Sequence, residues 1–214
     1  MRSTESIEAD DASLPSVDEL DLLDWKRRVS ELYAGIRAES DPRAGWRRWC
    51  EARRALFREH PQSPVPAGER DSFGGPFVFD YDPAWRLLAE VTRTDEERLE
   101  LPSSGGGTMT FRRFGQARAG DVALDVYWLE GYGGGLFVPF ADATSGDETF
   151  GAGRYVLDTV KGADLGTEGD RLVLDFNFAY QPSCSYDSRW ACPLAPPANR
   201  LEMRVEAGER LALS

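Results

Sequence analysis

The sequence predicts a mainly β protein of the α+β class, an antiparallel β barrel or sandwich preceded by an N-terminal helical pair. Apolar residues recur at helical spacing before Pro61, and short alternating segments replace them afterwards. Glycine and proline turns separate these segments, and no helical stretch lies between them. Because parallel strands need crossover helices, we expect the strands to pair antiparallel.

The expected organisation is a single domain over residues 18–214, since β barrels and sandwiches often reach this length as one unit. The helical pair is expected at residues 18–60 and the barrel or sandwich at residues 61–214. Residues 1–17 are polar and acidic and have little to bury, so they are predicted to be a disordered tail. With 41% hydrophobic residues, the chain can build a core without disulfides or a metal.

Two helices are predicted at the N-terminus. The first runs from Asp18 to about Ala38, because five apolar residues there lie three or four positions apart: Leu22, Trp25, Val29, Leu32 and Ile36. Asp41 is a favourable N-cap and Pro42 suits the first turn, so a second helix begins there and ends at His60. The helices are expected to pack on the β part through their large apolar residues, namely Trp25, Leu32, Trp46, Trp49 and Phe57.

Strand-like segments fill the rest of the chain, at residues 77–81, 85–93, 98–101, 108–114, 121–130, 135–140, 154–160, 171–180, 200–205 and 210–213. The segment 162–170 contains three glycines and lies between two of them. It is therefore predicted to be a hairpin connection that joins 154–160 to 171–180.

Charge and composition exclude several classes of partner. The net charge of −12 disfavours a nucleic-acid phosphate backbone or an anionic membrane surface. No apolar run is long enough to span a membrane and no export signal is visible, so we expect a cytoplasmic protein with reduced thiols. The oligomeric state stays open.

Metal ions and cofactors are not expected. Cys184 and Cys192 are separated by seven residues, which is wider than the spacing of a zinc knuckle, and His60 is the only histidine. Packed thiols, or a conditional disulfide between Cys184 and Cys192, are the preferred interpretation.

A series of short motifs is more specific than the strand pattern. In chain order they are Gly131-Tyr132-Gly133-Gly134-Gly135, Gly153-Arg154-Tyr155, Asp175-Phe176-Asn177-Phe178, Pro182-Ser183-Cys184, Cys192-Pro193-Leu194 and Ala207-Gly208-Glu209. This series resembles the family catalogued as domain of unknown function 1684, over roughly residues 20–210. The resemblance implies a shared fold and a shared surface, and it implies no reaction, because the family has no assigned activity.

A candidate site emerges from the segment 171–180. Strand alternation places its leucines and phenylalanines on one face, and Asp175 and Asn177 on the other. A carboxylate and an amide in such an apolar strand are costly unless they have partners. Arg154 is the expected partner of Asp175 across the predicted hairpin, either as a buried pair that locks the hairpin or as part of a cleft.

Three functions from different classes remain open. The first is binding of a small polar or anionic molecule in a β cleft, with ligand-binding candidates Arg154, Tyr155, Asp175, Asn177, Tyr180, Ser145 and Asn199. The second is a hydrolase-like enzyme in the same cleft, with catalytic candidates Glu148, Asp175 and His60. The third is an interaction module that docks a protein through the helical pair or a sheet edge. An exposed apolar stripe with Trp46 and Trp49 would favour the interaction module. A deep polar pocket would favour ligand binding or catalysis.

Overall fold

The two N-terminal helices form where the capping pattern predicts them. In the computed structural model, which describes residues 18–212, α1 spans Asp18–Arg37 and α2 spans Pro42–Glu59. The Asp41 side chain accepts a hydrogen bond from the backbone N of Arg43 at 3.0 Å, and α2 ends at His60, which is extended before Pro61. The tail predicted at residues 1–17 lies outside the described residues.

Within residues 18–212 there are nine strands: β1 (Phe77–Val78), β2 (Arg86–Pro102), β3 (Thr108–Ala119), β4 (Val122–Leu129), β5 (Gly135–Phe140), β6 (Arg154–Asp158), β7 (Thr167–Glu168), β8 (Arg171–Asp175) and β9 (Glu209–Arg210). The segments predicted at 85–93 and 98–101 are one strand, β2, with an irregularity between Arg93 and Glu97. The strand predicted at 200–205 was wrong. That segment has no regular strand, although Arg200 forms an isolated bridge with Ala141 and the backbone O of Val205 accepts from Arg154 in β6.

Seven of the strands form one antiparallel sheet in the order β6-β5-β4-β3-β2-β8-β7, and β1 pairs with β9. The sheet is curled into a half-barrel. Tyr155 in β6 and Tyr180, which follows β8, exchange backbone hydrogen bonds of 2.9 and 3.0 Å, so the chain after β8 returns to the opposite edge of the sheet. The predicted class, a mainly antiparallel β protein with an N-terminal helical pair, is confirmed.

The predicted hairpin between residues 154–160 and 171–180 was wrong. Four strands separate β6 from β8 in the sheet, and the glycine-rich segment leads instead into β7, which forms the hairpin with β8. Gly169, at the turn of that hairpin, has a φ of +61°, a conformation that glycine adopts without steric cost. Arg154 and Asp175 therefore do not lie on neighbouring strands.

The helical pair packs on the sheet as predicted. Trp49, Phe57 and Leu32 are buried, Trp25 and Trp46 are half-buried, and all five belong to one hydrophobic cluster with aromatic residues of the sheet. A second cluster joins the sheet to the C-terminal segment through Leu201, Val205 and Ala207. Neither described helix has the length and apolar character needed to cross a membrane.

Candidate functional site

The site begins where β8 ends, at Asp175. Its Oδ1 accepts hydrogen bonds from the backbone N of Asn177 at 3.0 Å and from the Asn177 side chain at 2.8 Å. These bonds cap a short 3-10 turn over Phe176–Phe178, as carboxylates and amides often do in turns. The strand alternation predicted through Tyr180 therefore stops, and Phe176 and Phe178 pack in different hydrophobic clusters instead of on one face.

Asn177 holds this turn against the start of the β structure. Its Oδ1 accepts from the backbone N of Asp82 at 2.9 Å, and its Nδ2 donates to the backbone O of Asp82 at 2.8 Å. All the polar atoms of the amide thus have partners. Asn177 orients Asp175 and has little capacity left for a ligand.

The carboxyl of Asp175 is only half satisfied. It is 1% exposed, yet its Oδ2 receives no hydrogen bond from residues 18–212, and the nearest cation is Arg86, with Nε at 3.9 Å. Burial raises the pKa of Asp175 to about 6, although the bonds from Asn177 and the charge of Arg86 act to lower it. A buried carboxyl that titrates near neutral pH is a feature of functional sites.

Asp175 and Arg86 line a cleft of about 420 Å³ between the α1–α2 connection and strands β7 and β8. The apolar part of the lining is Ile36, Leu165, Val173 and Phe178, and the charged part is Arg37, Glu39, Arg86, Glu168 and Asp175. Arg86 forms an ion pair with Glu168, and Arg37 donates to the backbone O of Asp164. A cavity of about 50 Å³ lies beside Trp25 and Tyr180, and a cleft of about 400 Å³ lies beside Asp24 and His60. The Asp175 cleft is therefore distinguished by its buried carboxyl and not by its volume.

Arg154 lies elsewhere, and its predicted pairing with Asp175 was wrong. The guanidinium is fully buried and donates to the backbone O of Val205 (2.9 Å), Glu209 (3.1 Å) and Ala207, and to Oδ1 of Asp142 (3.2 Å). It therefore fastens the C-terminal segment to β6. The predicted site residue Ser145 belongs to this network, because its Oγ accepts from the backbone N of Asp142 at 3.1 Å.

Asn199 also has a full set of internal partners. Its Oδ1 accepts from the backbone N of Asp125 at 2.8 Å, and its Nδ2 donates to the backbone O of Asp125 at 3.0 Å and of Pro139 at 2.7 Å. These bonds tie the segment before Leu201 to β4 and β5. Asn199 was predicted to bind a ligand, but its amide instead links two parts of the fold.

Tyr155 and Tyr180 are brought together, with ring centroids 5.5 Å apart. The Tyr180 hydroxyl donates to Oδ2 of Asp158 at 3.0 Å, and the Tyr155 hydroxyl donates to the backbone O of Pro193. Burial raises the pKa of both phenols well above its ordinary value, so both stay protonated. They lie in the core beneath the helices and are absent from the lining of the Asp175 cleft.

The three catalytic candidates do not converge. Glu148 forms an ion pair with Arg204 near the surface. Nδ1 of His60 accepts from the backbone N of Gln62 at 3.1 Å, and its Nε2 lies 3.2 Å from Oδ2 of Asp24, so His60 completes the end of α2. Of the three, only Asp175 lines the cleft.

Two arginines that matter here were not predicted from the sequence as site residues. Arg86 is brought to Asp175 because the two residues are directly opposite in the β2–β8 register, which no local pattern reveals. Arg53 pairs with the buried Glu209 at 2.6 Å, and Glu209 also accepts from the backbone N of Gln181 and the Tyr186 hydroxyl. A signal for Arg53 did exist, because an arginine on the apolar face of α2 needs a buried partner.

Comparison with known proteins identifies a family and a similar structure, and neither has an assigned activity. The family model described as "protein of unknown function (DUF1684)" matches residues 71–210. The solution NMR structure of an uncharacterized protein from Haloarcula marismortui is 31% identical and superposes with a TM-score of 0.52, covering 90% of this chain and 97% of that chain. No curated protein matches this chain.

Proposed function

This chain belongs to the DUF1684 family of proteins of unknown function, and we propose, from its own site, that it binds a small polar ligand in the Asp175 cleft. The observation that carries the proposal is the carboxyl of Asp175. One of its oxygens is held by Asn177, and the other has no hydrogen-bond donor among the described residues.

A ligand would complete the hydrogen bonding of this carboxyl. The Oδ2 atom keeps some exposure to the cleft, so a ligand hydroxyl or amine can donate to it, and a hydrogen bond to a charged group contributes about 1.5–3 kcal/mol. Asn177 holds the carboxyl in place through Oδ1, so Oδ2 is oriented before a ligand arrives. Such preorganisation lowers the entropic cost of binding.

The charged groups of the cleft favour a particular class of ligand. The lining carries two arginines, Arg37 and Arg86, and three carboxylates, Glu39, Glu168 and Asp175, so it offers both donors and acceptors. A neutral polar or zwitterionic molecule, with a donor for Asp175 and an acceptor for Arg86, fits this arrangement best. An anion fits only if its charge meets the arginines and stays away from Asp175. The volume of about 420 Å³ suits a small molecule.

A second candidate, hydrolase-like catalysis, is favoured by one observation. A pKa of about 6 suits a carboxyl that accepts and donates protons near neutral pH. Glu168, which lines the same cleft, would then be the second carboxylate in place of Glu148. Conversion of the bound molecule by wild-type protein, absent in Asp175→Asn, distinguishes this candidate from binding alone.

The interaction-module alternative gains no support from the two tryptophans of α2. Trp49 is fully buried and Trp46 is half-buried, so these residues form no exposed aromatic stripe. The face of α2 that carries Trp49 covers the sheet.

Ligand binding is tested by native mass spectrometry of freshly purified protein and by thermal unfolding with a panel of amino acids, sugars and hydroxy acids. We expect the wild type to carry or take up a small polar compound that raises its unfolding temperature. Asp175→Asn and Arg86→Met should each abolish this shift, because each removes one of the groups that meet the ligand. Glu148→Gln is the matched control, since that carboxylate lies outside the cleft. If the compound raised the unfolding temperature of Asp175→Asn as much as that of wild type, this cleft would be excluded as the binding site.

Stability should depend on pH through Asp175. Its pKa of about 6 in the folded protein lies above the ordinary value of 3.8, so the folded state binds the proton more tightly. The stability that this group contributes is therefore present below about pH 4 and is lost as the pH rises to about 6. The free energy of unfolding of Asp175→Asn, relative to wild type, should rise by about 2–3 kcal/mol between pH 4 and pH 7. Urea unfolding of both proteins between pH 4 and pH 7 measures this difference in unfolding free energy. A difference that does not change with pH would contradict the prediction.

A further inference from the structure

A second cavity, of about 50 Å³, lies beside the guanidinium of Arg53. Its walls come from both helices and from the segments that follow β6 and β8, and among the described residues it shares none with the Asp175 cleft. Trp25, Lys161 and Ser183 in its lining are half-buried, so the cavity reaches the surface on their side. A small molecule can therefore enter it from solvent.

Arg53 brings unused hydrogen-bond donors to this cavity. The residue is only 8% exposed, and its Nε donates to Oε1 of Glu209 at 2.6 Å. Neither Nη atom has an acceptor among the described residues, and both keep some exposure. The Cζ atom lies 4.8–5.3 Å from the ring centroids of Phe57, Tyr180 and Trp49, so aromatic rings hold the guanidinium in place.

The two buried carboxylates next to the cavity are already occupied. Oε1 of Glu209 pairs with the arginine, and its Oε2 accepts from the backbone N of Gln181 at 2.8 Å. Oδ1 of Asp158 accepts from the backbone N of Lys161 at 3.2 Å, and its Oδ2 accepts from the Tyr180 hydroxyl at 3.0 Å. These carboxylates are therefore engaged elsewhere and leave both Nη atoms of the arginine without an acceptor.

Two more residues of the lining have donors to spare. Lys161 has no carboxylate within 4.0 Å of its ammonium in the part of the chain that the structure describes. The Tyr33 hydroxyl accepts from Nε1 of Trp49 at 3.1 Å, but its own proton has no acceptor among residues 18–212. Burial raises the pKa of Tyr33, so the hydroxyl keeps that proton. The cavity thus has an excess of donors, and a ligand rich in acceptors would satisfy them.

We propose that this cavity binds the carboxylate of a short organic acid, at a site separate from the Asp175 cleft. The two carboxylate oxygens accept from the two Nη groups of Arg53, which is the bidentate geometry that a guanidinium favours. Lys161 adds a second positive charge, and the Tyr33 hydroxyl adds a neutral donor.

Size and charge narrow the class of ligand. A water molecule needs about 10–15 Å³ of such volume, so a cavity of about 50 Å³ has room for roughly four heavy atoms, about the size of acetate or propionate. The short alkyl end would contact apolar lining residues, namely Val29, Phe57 and Ala163. A phosphate dianion is disfavoured, because it carries more charge to desolvate and lies close to two buried carboxylates.

Propionate is the probe for this site, added to the full chain at constant ionic strength and followed by two-dimensional NMR of the backbone amides. The amide resonances of Ala163, Gln181 and Ser183 should shift and reach saturation. Propionamide has nearly the same shape without the charge, so it should cause no such shift. Inorganic phosphate should bind more weakly than propionate.

Three variants identify the groups that hold the acid. Arg53→Lys keeps a positive charge for Glu209 but lacks the planar fork, so it should abolish saturable binding. Lys161→Met should weaken binding by up to about fivefold, as expected for a partly exposed charge. Lys26→Met is the matched control, because Lys26 is the other lysine of the chain and is exposed on α1, so the affinity should not change.

The wild-type titration and Lys161→Met remain decisive if Arg53→Lys fails to fold. Undiminished binding in either variant, equal shifts with propionamide, or tighter binding of phosphate would each overturn the proposal. So would the absence of a saturable shift in the wild type. Loss of propionate binding in Arg86→Met would place the acid in the Asp175 cleft instead.

Discussion

Replacing Arg154 with methionine is expected to lower the free energy of unfolding by about 3–5 kcal/mol. Arg154 is fully buried and bonds three backbone carbonyls of the C-terminal segment and the buried carboxylate of Asp142. Methionine fills a similar volume but leaves that carboxylate without its cation and the carbonyls without their donor. Arg154→Lys should cost nearly as much, because one ammonium cannot reproduce the bonds of a planar fork.

Urea unfolding of Arg154→Met measures this loss, with Arg204→Met as the matched control. Arg204 also pairs with carboxylates, Glu148 and Glu206, but it is exposed, so its removal should cost less than about 1 kcal/mol. If Arg154→Met lost little unfolding free energy but no longer took up the ligand, Arg154 would belong to the ligand-binding site, as the sequence predicts.

Replacing Trp49 with alanine should also cost about 3–5 kcal/mol. Trp49 is 0% exposed, its Nε1 donates to the Tyr33 hydroxyl at 3.1 Å, and its ring lies 5.6 Å from that of Phe178. The substitution would open a large cavity between the helical pair and the sheet. Since Phe178 lines the Asp175 cleft, ligand binding should weaken as well.

Trp128→Ala is the control for this prediction. Trp128 is 38% exposed on β4, so truncation removes less buried apolar surface and should cost about 1 kcal/mol or less. Thermal and urea unfolding of both variants test the comparison. Equal losses would mean that the helices do not depend on Trp49 for their docking.

The candidate site was predictable only in part. Asp175 and Asn177 stand out in the sequence because polar groups in an apolar segment need partners, and the structure places them in contact. The partner of Asp175 was assigned incorrectly. The assignment assumed that β6 and β8 are neighbours, whereas the sheet order places Arg86 beside Asp175 and Arg154 beside Asp142.

The sequence by itself determined the local features of this protein. Asp41 and Pro42 start α2, apolar spacing predicts the buried face of α1 at Val29, Leu32 and Ile36 but not at Leu22, which is exposed, and β5 spans the predicted residues 135–140. The tertiary structure alone decided which strands are neighbours, where β8 gives way to a turn, and which arginine meets which carboxylate. The reason is physical: helix caps depend on contacts a few residues apart, whereas strand alternation specifies a buried face without specifying the partner strand.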